Sequence, residues 1–172
     1  YLFEYIKEHR PRRVIEFGSG KSTWIIAKAM EMYCWDKYEE NIELVSMEHH
    51  EGWYNKHISN LPNMKIDHFD EFVSMILSPI EEFRHRFIVG LVYSDMPMRQ
   101  FDFCFVDGVP PEDLCGMDLI KLLTVSSEPI SCLIDGRRTT QTAYAALLGT
   151  KKMTRYHTGL CLFDKVTADD LA

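Results

Sequence analysis

Short, largely apolar runs alternate along the chain with segments whose apolar residues recur at helical spacing. The clearest apolar runs are residues 14–17, 101–107 and 130–135, and residues 43–48 form a fourth predicted strand. Such runs are typical of strands that are buried on both faces of a parallel sheet. The helical segments are residues 22–32, a segment from Trp53 to Pro62, and residues 112–125 and 141–148. This alternation predicts an α/β fold in layers around a mostly parallel sheet.

The middle of the chain is less regular. Residues 64–69 are predicted to be the third strand, and residues 70–77 an amphipathic helix that follows it. Residues 78–100 have strand-like composition that Gly90 interrupts. They predict an extended excursion between the third and fourth strands of the sheet.

Both ends of the sequence carry simple patterns. Residues 2–9 are predicted to form a short helix, which Pro11 ends. Residues 152–166 read as two strands joined at Thr158 and Gly159. They predict a terminal antiparallel hairpin.

Composition limits the class of protein. The 172 residues fit one domain, residues 1–172, and 46% of them are apolar while 26% are charged, as in soluble globular proteins. The net charge of -7 argues against a broad nucleic-acid interface, which needs a basic face. No apolar run reaches the roughly 18 residues of a membrane-spanning helix. We therefore expect no nucleic-acid or membrane partner.

The five cysteines show no C-x-x-C spacing. They are Cys34, Cys104, Cys115, Cys132 and Cys161, and three of them lie in apolar, strand-like runs. This pattern favours buried thiols over disulfides or zinc ligands. It also favours a reducing compartment, so we expect a cytoplasmic protein.

Candidate chemistry begins at residues 12–23, RRVIEFGSGKST. The apolar strand breaks into a turn at Gly18 and Gly20, and a helix opens directly after it. Glycine tolerates positive φ and, without a Cβ, allows a ligand to approach the backbone. The first amides of the helix lack partners within the helix and face the same point. The stretch therefore predicts a nucleotide-type binding site.

Three ligand classes use such a turn. A phosphate-binding P-loop ends in GKST, with Lys21 on the phosphates, but it needs glycine where this chain has Ile15. The dinucleotide fingerprint G-x-G-x-x-G is met at Gly18 and Gly20, but Thr23 stands at its third place. Both matches are incomplete.

The third class depends on Glu16, an acidic residue on the strand before the turn. Here the sequence resembles the class I S-adenosylmethionine-dependent methyltransferases, whose first motif runs acidic-x-Gly-x-Gly. EFGSGKST followed by EHHEGW also resembles a subgroup with a GSG-x-ST loop and an EH…W segment; the departure is Ser22, where many members have a third glycine. The resemblance implies a three-layer αβα Rossmann-like methyltransferase sheet with a terminal antiparallel hairpin. It assigns the cofactor S-adenosylmethionine to Glu16, Gly18, Ser19, Gly20 and Ser22.

Acids at the ends of later strands extend the cofactor prediction. Ligands in such sheets bind outside the carboxyl ends of the strands, and the resemblance assigns the ribose diol to Glu48. We expect His49 on the adenine side and His50 on the surface, because adjacent strand residues point to opposite faces and leave no metal-binding pair. Asp70 is assigned the adenine amino group, although an N-cap role fits it equally well.

The same reasoning gives a catalytic prediction. Asp107 and Asp135 end neighbouring strands, and either acid could serve as a general base, fix the substrate or bind a divalent ion. The catechol-type branch binds magnesium with an asparagine after the second acid, where this chain has Gly136, so a divalent metal is possible but not favoured. The resemblance, through the motif VDG with a following proline, implies that Asp107 also adjoins the cofactor methyl group. Arg137 and Arg138 could hold an anionic substrate group.

The sequence thus predicts a methyltransferase for a small-molecule acceptor, with oxygen favoured over nitrogen, and allows a homo-oligomer. Tyr93 and Arg99 in the excursion are further candidates for substrate contact, although packing explains them as well. Two alternatives remain: a protein that keeps the fold and binds without turnover, and a P-loop nucleotide hydrolase.

Overall fold

A computed structural model describes residues 1–38, 41–60, 65–108 and 114–171. The helices are α1 (Leu2–His9), α2 (Lys21–Tyr33), α3 (Glu51–Asn60), α4 (Phe69–Phe72), α5 (Asp118–Leu123) and α6 (Arg138–Leu148). The strands are β1 (Arg13–Phe17), β2 (Glu43–Glu48), β3 (Val73–Leu77), β4 (Ile80–His85), β5 (Ile88–Tyr93), β6 (Phe103–Val106), β7 (Ile130–Ile134), β8 (Met153–Arg155) and β9 (Cys161–Val166).

Seven strands form one sheet in the order β3-β2-β1-β6-β7-β9-β8. The first five are parallel to one another, whereas β9 is antiparallel to both of its neighbours. The mostly parallel α/β sheet and its terminal antiparallel hairpin are therefore confirmed. Because the five parallel strands run the same way, their carboxyl ends share one side of the sheet, which we call the carboxyl edge.

Both faces of the sheet are covered. Ile15 and Phe17 of β1 point into a core that β5, α5 and α6 complete. Val14, from the same strand, points into a second core with α1 and α2. Because alternate residues of a strand point to opposite faces, a strand buried on both sides is largely apolar, and Glu16 is the exception in β1.

The predicted third strand is wrong. Residues 65–68 are coil and turn, and α4 follows them, while Met64 lies outside the described residues. The strand that pairs with β2 on the side away from β1 is β3, which was predicted to be helical. Its residues alternate incompletely between half-buried and exposed, because β3 lies at the edge of the sheet. Pairing with β2 therefore overrides the helical spacing of its sequence.

An antiparallel hairpin, β4–β5, occupies the connection between β3 and β6, as the predicted extended excursion requires. The N–H of Leu91 donates to the carbonyl of Cys115 at 2.8 Å, and the N–H of Met117 donates to the carbonyl of Leu91 at 2.8 Å. Gly90 permits this approach, since a Cβ there would lie 2.4 Å from the Cys115 oxygen. The hairpin is thus fastened to the segment before α5.

Helices α5 and α6 show the largest differences from the predicted starting residues. Helix α5 begins at Asp118 rather than residue 112, and Leu114, expected inside, is 38% exposed; residues 112 and 113 lie outside the described part. Helix α6 begins at Arg138 rather than residue 141. The five cysteines are buried free thiols, as predicted. Among the described residues, no helix has the length and apolar character needed to cross a membrane.

Candidate functional site

A cleft of about 670 Å³ opens at the carboxyl edge, above the ends of β1, β2 and β6. Six of the residues predicted to contact a cofactor line it: Gly18, Ser19, Gly20, Glu48, His49 and Asp107. These residues come from three separate loops, which the order of the strands brings together. The cleft therefore lies where ligands bind in open α/β sheets.

The glycine turn is built by contact with the loop after β6. Gly18 has φ +101°, and a Cβ on it would lie 2.4 Å from the Cα of Gly108. The N–H of Gly108 donates to the carbonyl of Phe17 at 2.6 Å, which holds the two loops together. The space that a Gly18 side chain would need is therefore filled by the backbone of the neighbouring loop, while the Gly18 backbone still lines the cleft. Gly20 differs, because a Cβ there would meet only the Ser22 hydroxyl, at 3.8 Å.

Glu16 is fully buried beneath this turn and does not line the cleft. Its Oε2 accepts hydrogen bonds from the hydroxyls of Thr23 at 2.5 Å and Ser46 at 2.6 Å. The Thr23 hydroxyl in turn accepts the N–H of Gly20 at 3.0 Å. Burial raises the pKa of Glu16 to about 7, although the hydroxyls of Ser22, Ser46 and Thr23 favour its charged form. Glu16 and Ser22 thus support the turn from below.

Glu48 is one of two acidic residues that line the cleft, with Asp107, and its side chain is largely covered. Its Oε1 accepts the N–H groups of His49 at 2.9 Å and His50 at 2.8 Å, and its Oε2 accepts the Ser19 hydroxyl at 2.8 Å. A carboxylate offers about four acceptor positions. One position on Oε2 therefore remains for a ligand, and a second becomes available if the Ser19 hydroxyl turns away.

The two histidines after β2 have different surroundings. His49 lines the cleft, and its ring packs edge-on against Tyr93, with 6.3 Å between the centroids. Tyr93 is fully buried, and its hydroxyl has no hydrogen-bond partner among the residues that the structure describes. Exposed His50 accepts the N–H of Trp53 at 3.3 Å through Nδ1, so it caps the start of α3. Burial raises the pKa of Tyr93 above its ordinary value.

Helix α3 supplies a wall of the cleft that the sequence did not predict. Trp53, Lys56, His57 and Asn60 line the cleft from this helix. The Trp53 ring is 51% exposed, stacks on His57 and carries the Lys56 amine 4.5 Å above its centroid. Burial lowers the pKa of His57. The sequence offers only a hint of this wall, because Trp53 and His57 stand four residues apart shortly after Glu48.

A second cleft of about 580 Å³ adjoins the first and shares Asp107 and Arg137 with it. Asp135 and Arg138 also line it. Burial and the neighbouring charge of Asp135 raise the pKa of Asp107, and Arg137 lowers it in part. The structure thus brings the predicted catalytic residues Asp107, Asp135 and Arg137 together beside the first cleft.

Arg137 binds backbone rather than facing only solvent. Its Nε donates to the carbonyl of Asp107 at 3.0 Å, and a terminal nitrogen donates to the same oxygen. The guanidinium lies 3.9 Å from the Asp107 carboxylate. Arg137 therefore forms the boundary between the two clefts and fixes the loop after β6.

Two predicted residues lie far from both clefts, at the opposite end of the sheet. Asp70 lies in the first turn of α4, before the start of β3, and so at the end of the sheet opposite the carboxyl edge. The predicted adenine contact is therefore wrong, because it rested on the misplaced third strand. Arg99 pairs with Glu43, at the start of β2, and also lies at that far end. No cluster of three or more His, Cys, Asp or Glu side chains in the described ranges is placed to hold a metal ion.

Comparisons with known proteins reveal the fold. No protein-family model and no curated protein matches the sequence. Among solved structures, a methyltransferase from Geobacter sulfurreducens matches with a TM-score of 0.60 and 12% identity, covering 96% of this chain and 77% of that one. An O-methyltransferase from Bacillus cereus in complex with SAH matches with a TM-score of 0.59 and 12% identity, covering 95% and 79%. A TDP-rhamnose 3′-O-methyltransferase of calicheamicin biosynthesis matches with a TM-score of 0.58 and 14% identity, covering 95% of this chain and 75% of that one. The chain therefore has the Rossmann-like methyltransferase fold.

Proposed function

We propose that the protein is an S-adenosylmethionine-dependent methyltransferase that acts on the hydroxyl group of a small molecule. The observation that carries this proposal is the meeting of two clefts at Asp107. One presents the Glu48 carboxylate and the glycine turn, and the other presents two acids and two arginines. Methyl transfer requires such a pair, because a donor and an acceptor must be held side by side.

The first cleft fits the cofactor in size and chemistry. Its volume lies within the range of about 300–1,000 Å³ that is usual for ligand sites. The free acceptor position of Glu48 suits a ribose hydroxyl, and the half-exposed Trp53 suits contact with the adenine. Open space at Gly20 suits the methionine part. The GSG-x-ST resemblance agrees with this assignment.

The residues at the junction suit an oxygen acceptor. S-adenosylmethionine supplies a methyl group on a sulfonium, which an acceptor oxygen takes by in-line displacement while a proton leaves that oxygen. Asp107 accepts the proton, since its raised pKa makes it a better base near neutral pH. Asp135 orients the hydroxyl, and Arg137 holds the loop that carries Asp107. This assignment requires no metal.

Isothermal titration of the full chain with S-adenosylmethionine and with its demethylated product tests the proposal. We expect binding in the micromolar range, which Glu48→Gln weakens, and methyl release across a panel of phenols and alcohols. Binding without turnover on a broad panel would favour the non-catalytic alternative. Magnesium-dependent binding of ATP that requires Lys21, with no binding of either cofactor form, would replace the proposal with the nucleotide hydrolase.

A further inference from the structure

An apolar groove of about 430 Å³ continues from the second cleft along the surface of α6. The groove and the second cleft share Leu114, Arg138 and Thr139, so that one trough runs from Asp107 to the hairpin. The apolar residues that line the groove are Ile88, Val89, Leu114, Cys115, Ala143 and Ala146. The trough is thus polar where it meets the cofactor cleft and apolar at its far end.

The hairpin creates this groove. Strand β5 is fastened to Cys115 and Met117 by backbone hydrogen bonds, and its Ile88 and Val89 line the groove together with residues of α6. On the other side of the groove, Ala146 is small and exposed. Small side chains on the helix and larger ones on the strand leave a shallow channel rather than a packed contact.

We propose that this groove holds the apolar body of the methyl acceptor, which is therefore an amphiphilic hydroxy compound. Its hydroxyl lies between Asp107 and Asp135, and its body passes Arg138 to reach Val89 and Ala146. Continuity supports this occupant, because the groove and the second cleft share three lining residues, so that an acceptor whose hydroxyl lies in the cleft can extend an apolar body along the groove. The inference names the substrate class of the proposed methyltransferase and therefore rests on that function.

A series of 4-n-alkylphenols, from ethyl to hexyl, tests the inference by titration calorimetry on the full chain without cofactor. A fully buried methylene strengthens binding about fourfold, and a groove that is open on one side gives about half of that free energy, or twofold. The dissociation constant should therefore fall about 16-fold from ethyl to hexyl. A series with no dependence on chain length overturns the inference.

Variants locate the effect. Ala146→Trp fills the groove from an exposed position, and so does Thr142→Trp, which serves if the first variant folds poorly. Each should reduce the 16-fold range to less than threefold while ethylphenol binds as before. Ala168→Trp, at an exposed alanine outside the groove, is the matched control and should keep the full range. Unchanged chain-length dependence in both groove variants overturns the assignment.

Separate titration with the demethylated cofactor distinguishes the two proposals. If the demethylated cofactor binds but alkylphenol affinity does not depend on chain length, the amphiphilic acceptor is refuted and the methyltransferase proposal stands. If alkylphenol affinity rises with chain length, both groove variants abolish that rise and the cofactor does not bind, the methyltransferase proposal is refuted. The groove then remains an apolar binding site.

Discussion

Glu48→Gln is expected to weaken cofactor binding roughly 10- to 100-fold while the protein stays folded. Its Oε1 accepts two backbone N–H groups, so the oxygen of the new amide is expected to take this position. The amide nitrogen then replaces Oε2, which faces Ser19 and the cleft. A nitrogen there cannot accept a ribose hydroxyl, and a lost hydrogen bond to a charged group costs about 1.5–3 kcal/mol.

The assay is titration of the wild type and the variant with the demethylated cofactor at one ionic strength. Urea unfolding provides the stability control, in which we expect a loss of about 1 kcal/mol from weaker backbone hydrogen bonds. Asp70→Asn is the matched variant, because the sequence assigned this acid to the cofactor and the structure places it at the far end of the sheet. Equal affinities of Glu48→Gln and wild type, or a loss of affinity in Asp70→Asn, would refute the reasoning.

Three further predictions concern the supports of the cleft. Gly18→Ala should destabilise the protein by about 2–4 kcal/mol in urea unfolding, because Gly18 has a positive φ and a Cβ there would clash with Gly108. Gly20→Ala should fold normally and lose cofactor affinity. Equal stabilities of the two variants would contradict the loop geometry. Glu16, with its pKa raised from 4.5 to about 7, binds a proton in the native state where the unfolded chain has lost it. Stability should therefore fall as the pH rises from 4.5 to 7, by on the order of 3 kcal/mol from this group; Glu16→Gln should flatten that part of the profile, and parallel profiles would argue against the shift. Tyr93→Phe should change the free energy of unfolding by less than about 1 kcal/mol in urea unfolding, since the Tyr93 hydroxyl has no hydrogen-bond partner among the described residues. A loss above about 2 kcal/mol would show that the hydroxyl has a partner in solution.

The sequence was sufficient for the strands at the centre of the sheet. Strands β1, β6 and β7 are buried on both faces, so their sequences are largely apolar, with Glu16 and Ser131 as the polar exceptions. Glu48 ends β2, and Asp107 and Asp135 directly follow β6 and β7. These acids could be placed together at the carboxyl edge because parallel strands run in the same direction. Pattern alone failed at β3, where an edge strand with partial burial carries a spacing that also fits a helix.

The first cleft was only partly predictable for a related reason. Helix α3 has no buried residue, so its sequence carries no periodic apolar signal to show which side faces the sheet. Trp53 and His57 could therefore not be assigned to the cleft before the structure placed them. Similarly, only the structure shows that Gly18 packs against Gly108 while Gly20 faces open space.

The backbone contact between Gly18 and Gly108 has a mechanical consequence. In the proposed methyltransferase, the Gly18 loop lies on the donor side, and the Gly108 loop follows Asp107, which lines both clefts; the two backbones meet directly. A displacement of either loop must therefore push the other, with no soft layer to absorb it. Donor and acceptor would stay aligned as a rigid pair, so that changes which tune one side cannot leave the other untouched.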